Sequence, residues 1–150
     1  MILDDVISAV AEGRSPIVLT ERRDHLEHLA ARLRGFCRHL VVLHGGMRAR
    51  ARRAALAQLA TIPEHEERCV VATGRYIGEG FDDARLDTLF LTLPISWRGT
   101  LVQYAGRLQR RHAAKKHVRI YDYVDGEVSV LARMAQKRLR GYLALGYVKG

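Results

Sequence analysis

Short apolar runs alternate along this chain with longer stretches whose apolar residues recur every three or four positions. The runs are SPIVLT (15–20), HLVVLHGG (39–46), RCVVATG (68–74), LDTLFLTLP (86–94) and HVRIYDYVD (117–125). Between the first two, ERRDHLEHLAARLRG (21–35) puts Leu26, Leu29, Ala30 and Leu33 on one helical face. MRARARRAALAQLA (47–60) reads as a basic, alanine-rich helix, and Leu3, Val6, Ile7 and Val10 mark another over residues 3–12. Further helices are expected near 97–111 and 127–143. Strands that are apolar almost throughout must be covered on both faces. Strands of this kind alternating with amphipathic helices predict an α/β domain with a parallel central sheet. Ligands meet such a sheet at the loops leaving the carboxyl ends of its strands, which begin here at Thr20, His44, Thr73 and Pro94.

Length and composition narrow this reading. A chain of 150 residues without linker, repeat or low-complexity tract is one domain. Its Lys plus Arg count of 25 against 16 Asp plus Glu gives a net charge of +9, which favours a polyanionic partner, nucleic acid ahead of an anionic membrane surface. No apolar stretch approaches the roughly 20 residues that cross a bilayer, and residues 1–15 hold no signal-peptide core. A soluble, cytoplasmic protein is expected, with no membrane association. Cys37 and Cys69 make neither a metal-ligand spacing nor a disulfide framework, so buried free thiols are expected. His25 and His28 can share a helix face, but no carboxylate or cysteine completes a metal site with them, so a structural or solvated role is expected and no metal ligand is assigned.

Two segments carry candidate chemistry. ATGRYIGEGFDD (72–83) follows a strand and contains Gly74, Gly78 and Gly80, which allow close backbone approach to a ligand, with Asp82 and Asp83 beyond them. None of the lysines, at 115, 116, 137 and 149, follows a glycine, so the phosphate loop G-x-x-x-x-G-K-[ST] is absent, and no Asp-Glu dipeptide occurs. In QYAGRLQRR (103–111), helical spacing projects Gln103, Arg107 and Arg110 to one side, with Gly106 beside Arg107. Two guanidiniums and an amide on one face suit charge developing on a phosphoryl group. The competing reading is an exposed basic helix. The arginines of 47–60 fit a solvated or backbone-contacting face, and Asp87 fits a cap at the start of a strand.

Together these segments resemble the second RecA-like lobe of superfamily-two helicases and translocases. QYAGRLQR resembles that family's motif six, Q-x-x-G-R-x-x-R, with Gln103, Gly106, Arg107 and Arg110 matching. ATGRYIGEGFDD resembles motif five, with Thr73, Gly80 and Asp82 in its threonine, glycine and aspartate places. IVLTERRDHLEHLAARL is similar to the strand and helix of motif four, and VVLHGG to the loop that follows. LPISWRGTLVQYAGR further resembles the branch related to type III restriction translocase subunits.

The resemblance implies a three-layer RecA-like domain and half of an active site. Gln103, Arg107 and Arg110 would face ATP bound on another lobe, the two arginines acting as fingers on the γ-phosphate. Gly80 and Asp82 would lie near the ribose. Thr73, with the Thr20 and His44–Gly45 loops, would touch the nucleic-acid backbone, with DNA expected ahead of RNA. ATP and Mg²⁺ would be held mainly by the first lobe, whose phosphate loop this chain lacks. Residues 1–150 are therefore expected to be one domain of a larger protein, monomeric and inactive when isolated. Two readings of other classes stay open. One is a stand-alone basic nucleic-acid-binding module that hydrolyses no nucleotide. The other is a small, complete nucleotide enzyme, for which the chain offers no arranged nucleophile or base.

Overall fold

A computed structural model of the chain describes residues 2–73, 85–92, 105, 108, 117–123 and 129–150. In chain order its elements are α1 (Ile2–Ala11), β1 (Pro16–Thr20), α2 (Arg23–Leu33), β2 (His39–Leu43), α3 (Ala49–Thr61), β3 (Arg68–Thr73), β4 (Thr88–Leu91), β5 (Arg119–Asp122) and α4 (Ser129–Ala144). The five strands form one parallel sheet in the order β2-β3-β1-β4-β5. Each apolar run thus became a strand, and each periodic stretch that the structure describes became a helix. The helix expected near 97–111 lies outside the described residues, except for Ala105 and Leu108, both buried.

Burial explains why the central runs are apolar at every position. All residues of β1, β3 and β4 are buried, whereas β5 is only partly so. The period-two alternation of a strand divides them between two cores. Ile17, Leu19, Val41, Leu43, Val70, Ala72, Leu89 and Leu91 face one side, against Leu59 of α3 and Ile62. Val18, Cys69, Val71 and Phe90 face the other, against Val6, Ala9 and Val10 of α1 and Leu26, Leu29 and Leu33 of α2. Both cysteines lie in this second core as free thiols. Burial pushes the Cys37 thiol up to about 11, and that of Cys69 higher still.

Glycines end two helices in the same way. Gly13, with φ 81°, and Gly146, with φ 98°, adopt the left-handed conformation that terminates α1 and α4. At each, the next residue donates back five positions: Arg14 N–H to the Ala9 carbonyl and Tyr147 N–H to that of Tyr142.

Polar clamps then fix the margins of the sheet. At the amino edge, Arg14 is nearly buried; its Nε donates to Thr88 Oγ1 at 2.6 Å, and its Nη2 donates to the carbonyls of Asp87 (3.1 Å) and His117 (3.0 Å). Asp87 accepts from the Ser15 backbone N–H and the Thr88 hydroxyl, both at 2.9 Å, which is the strand-cap role expected of it. At the far margin Arg138, 1% exposed, grips Asp122 with two bonds of 2.8 and 2.9 Å, and the Tyr142 hydroxyl donates to the same carboxylate at 3.0 Å. This fork ties α4 to β5.

Removing Arg14 leaves two carbonyls and the Thr88 hydroxyl short of a donor in a largely buried setting. Arg14→Ala is expected to lower unfolding free energy by roughly 2–4 kcal/mol. Arg119→Ala, which breaks an exposed pair with Glu12, is expected to cost far less. Urea unfolding of both variants checks this; equal losses would mean that the Arg14 network adds nothing beyond a surface pair.

Candidate functional site

Because the strands are parallel, their carboxyl ends lie along one edge, and the loops expected to meet ligands are neighbours there. Thr20 pairs with Thr73 in the β1–β3 register, and Leu43 with Ala72 in that of β2–β3, so His44 leaves the sheet at the level of Thr73. Across β1, Thr92 follows β4 and donates from both its backbone N–H (3.1 Å) and its hydroxyl (2.9 Å) to the Leu19 carbonyl. The edge therefore reads His44, Thr73, Thr20, Thr92 in spatial order.

These residues differ in what they offer a ligand. Gly45 is exposed and His44 partly so, while Thr73 is 9% exposed and Thr20 has no exposed surface. The Thr20 hydroxyl is held within the protein, 3.0 Å from His25 Nδ1, with the Arg22 N–H reaching it more weakly at 3.4 Å. The Thr20 hydroxyl is thus buried and engaged within the protein. The His44 ring accepts the Gly46 N–H at Nδ1 (3.1 Å), and the His44 backbone N–H donates to Met47 Sδ (3.4 Å), which folds the loop after β2 into a compact turn. That loop meets the start of α2: a Cβ placed on Gly46 would stand 2.9 Å from Arg23 Nη1 and 3.3 Å from His44 Nδ1. The Arg23 guanidinium and the His44 imidazole consequently both stand against Gly46.

Gly80, Asp82, Gln103, Arg107 and Arg110 lie outside the described residues. Among the described residues, no group of three His, Cys, Asp or Glu is placed to hold a metal ion. Hydroxyls, imidazoles and guanidiniums along this edge suit phosphate oxygens, and they do not fit Mg²⁺. A cavity of about 720 Å³ lies elsewhere, between β5 and α4, and includes Ile120, Leu139 and Tyr142 in its wall. No described helix is long and apolar enough to cross a membrane.

His25 is the residue whose place the sequence reading missed. Its spacing from Thr20 spans a strand end and a helix start, and no local pattern signals that contact. Burial is the main cause holding the imidazole below its ordinary titration range; the charges of His28 and Arg22 act the same way, and Asp24 opposes them.

The fold has counterparts among solved structures. The chain is similar to T4 UvsW (TM-score 0.69, 14% identity), with 96% of this chain aligned to 32% of that one. It is equally similar to the C-terminal part of the Fun30 ATPase domain (TM-score 0.69, 14% identity, 89% of this chain and 43% of that). The DEAD-box protein SrmB of E. coli, in its structure bound to regulator of ribonuclease activity A, gives TM-score 0.65 and 20% identity over 91% of this chain and 78% of that one. No protein-family model matches the sequence, and no curated protein matches it. The fold is thus a RecA-like α/β fold, as the motifs implied. The chain spans about a third of the UvsW chain and less than half of the Fun30 chain.

The His25 shift carries a sign. The folded imidazole releases its proton more readily than an unfolded one, so the unfolded chain binds more protons just below pH 6.5. The resulting stability is complete above about pH 6.5 and is lost as pH falls through the depressed folded value. His25→Gln is expected to flatten the fall in stability between roughly pH 7 and pH 5. Urea midpoints measured across that range test this, and an unchanged slope would show that His25 is not held neutral.

Proposed function

We propose that this chain is the C-terminal lobe of an ATP-dependent helicase or translocase acting on nucleic acid, DNA ahead of RNA. The observation that carries the reading is a conjunction. The pattern Q-x-x-G-R-x-x-R at 103–110 occurs in a chain whose parallel five-stranded sheet resembles the Fun30 ATPase domain and the DEAD-box protein SrmB. A stand-alone basic binding module would leave that pattern without a purpose.

In this reading Arg107 and Arg110, oriented with Gln103, reach across a cleft toward ATP held by a first lobe. A guanidinium fork there stabilises negative charge as the γ-phosphoryl group separates, and Gly106 keeps the approach open. Gly80 and Asp82 line the cleft near the ribose. ATP and its Mg²⁺ rest mainly on the first lobe, since this sequence has no phosphate loop. Thr73 and the His44–Gly45 loop meet the nucleic-acid backbone, and Thr20 supports that surface from beneath. A net charge of +9 supports a polyanion as partner. Nucleotide-driven closure of two lobes over a strand would give movement, so the 150 residues alone are not expected to hydrolyse ATP.

In the two-lobed parent, Arg107→Ala or Arg110→Ala is expected to lower kcat for nucleic-acid-stimulated hydrolysis on the order of a hundredfold or more. ATP affinity should change far less, because the guanidinium acts mainly on charge present in the transition state. Arg110→Lys should recover little, while Arg111→Ala, about 100° further round a helix, should be mild. Steady-state kinetics with nucleotide-binding titrations decide the matter. Intact kcat in the first two variants, or equal damage from Arg111→Ala, would reduce this segment to basic surface.

A further inference from the structure

The contact between Thr20 and His25 fixes more than a distance. Thr20 is fully buried, and its hydroxyl proton needs an acceptor. Its side-chain partners are the Arg22 backbone N–H, which only donates, and His25 Nδ1. If Nδ1 carried the ring proton, the buried hydroxyl would have nothing to donate to. The Thr20 proton therefore points at Nδ1, and the neutral ring carries its own proton on Nε2. His25 is only partly buried, and its Nε2 is not among the buried polar atoms lacking a partner, so solvent reaches it.

The surroundings say what such a donor faces. Arg23 stands over Gly46 beside His44, whose ring likewise has Nδ1 occupied by a backbone N–H. The first turn of α2 and the loop after β2 therefore each carry an imidazole whose Nδ1 is engaged within the protein, and the Arg23 guanidinium of α2 reaches that loop. Arg22 and Arg23 are themselves paired with Asp24 and Glu27. That moderates the local positive charge and favours hydrogen bonding to an anion over simple attraction.

We propose that His25 is a phosphate-contacting residue of the nucleic-acid surface, donating from Nε2–H to a backbone phosphodiester oxygen, and that buried Thr20 is the positioning residue that locks its tautomer. This rests on the nucleic-acid reading above and adds a residue to it. Burial disfavours the charged ring, in keeping with a bare Nδ1 that accepts the Thr20 proton. The lock explains why a threonine with no exposed surface belongs to a surface loop's chemistry.

The test uses the whole chain and a fluorescently labelled oligothymidylate, read by anisotropy at low salt. His25→Ala is expected to weaken binding about three- to tenfold, the size of one hydrogen bond. His25→Gln, which keeps both an acceptor for Thr20 and an N–H donor, should recover most of the loss. Thr20→Val should weaken binding although Thr20 touches no ligand, and Thr20→Ser should not. Long-range ¹H–¹⁵N spectra of the imidazole give an independent readout: Nε2 protonated and Nδ1 bare in the native chain, a tautomer mixture in Thr20→Val. If Thr20→Val does not fold, the His25 pair and the native spectrum still decide. An Nδ1–H ring in the native chain would overturn the lock. Oligonucleotide binding indifferent to His25→Ala would overturn the contact while leaving the helicase-lobe reading in place. No binding by the native chain at any salt would sink both.

Discussion

Every arrangement in this domain follows from the need to cover β1, β3 and β4 on both faces at once. Their residues are buried throughout, so the sheet cannot present a wet side. Parallel pairing meets that need, since each return to the start of the sheet takes a crossover that can carry a helix over a face. The same geometry gathers all the carboxyl-terminal loops at one edge. Covering a core and gathering those loops at one edge are thus one solution.

Apolar burial settles which residues are inside but does little to fix the sheet's margins, where β5 is only half covered. There the protein uses buried arginine. Arg14 ties the starts of β1 and β4 to the approach to β5, and Arg138 locks α4 onto Asp122. A guanidinium suits this task because it satisfies several acceptors in fixed directions from a single side chain. Both clamps are well supplied with hydrogen bonds, as a buried cation must be. The hydroxyls of the opposite edge work differently. Thr20 and Thr92 engage theirs with His25 and with the Leu19 carbonyl, so they tie the strand ends to their neighbours.

Much of the fold was legible in the sequence because its signals are local. Apolar runs such as RCVVATG and the spacing of Leu26, Leu29, Ala30 and Leu33 report burial directly, and element ends fell within a few residues of expectation. Gln103, Arg107 and Arg110 could be singled out on the same basis, since four-residue spacing along a helix needs no tertiary knowledge. Legibility stopped where partners are far apart in the chain or differ in element type. The His25 contact was hidden because histidine spacing alone cannot reveal a threonine at the end of the preceding strand. The depth of Thr20 was likewise hidden, because a place at a strand end says nothing about burial.

The sequence by itself determined the order and kind of the elements, the two-sided core and the chemistry available to each loop, since each depends on a residue and its near neighbours. Only the tertiary structure decided the strand order β2-β3-β1-β4-β5, which inserts β1 between strands that follow it. Only it could bring Arg14 to the His117 carbonyl, 103 residues away, or set the loop after β2 against Arg23. The reason is that such contacts are chosen by the packing of the whole sheet. No periodicity, charge or propensity within a single segment encodes which distant segment will become its neighbour.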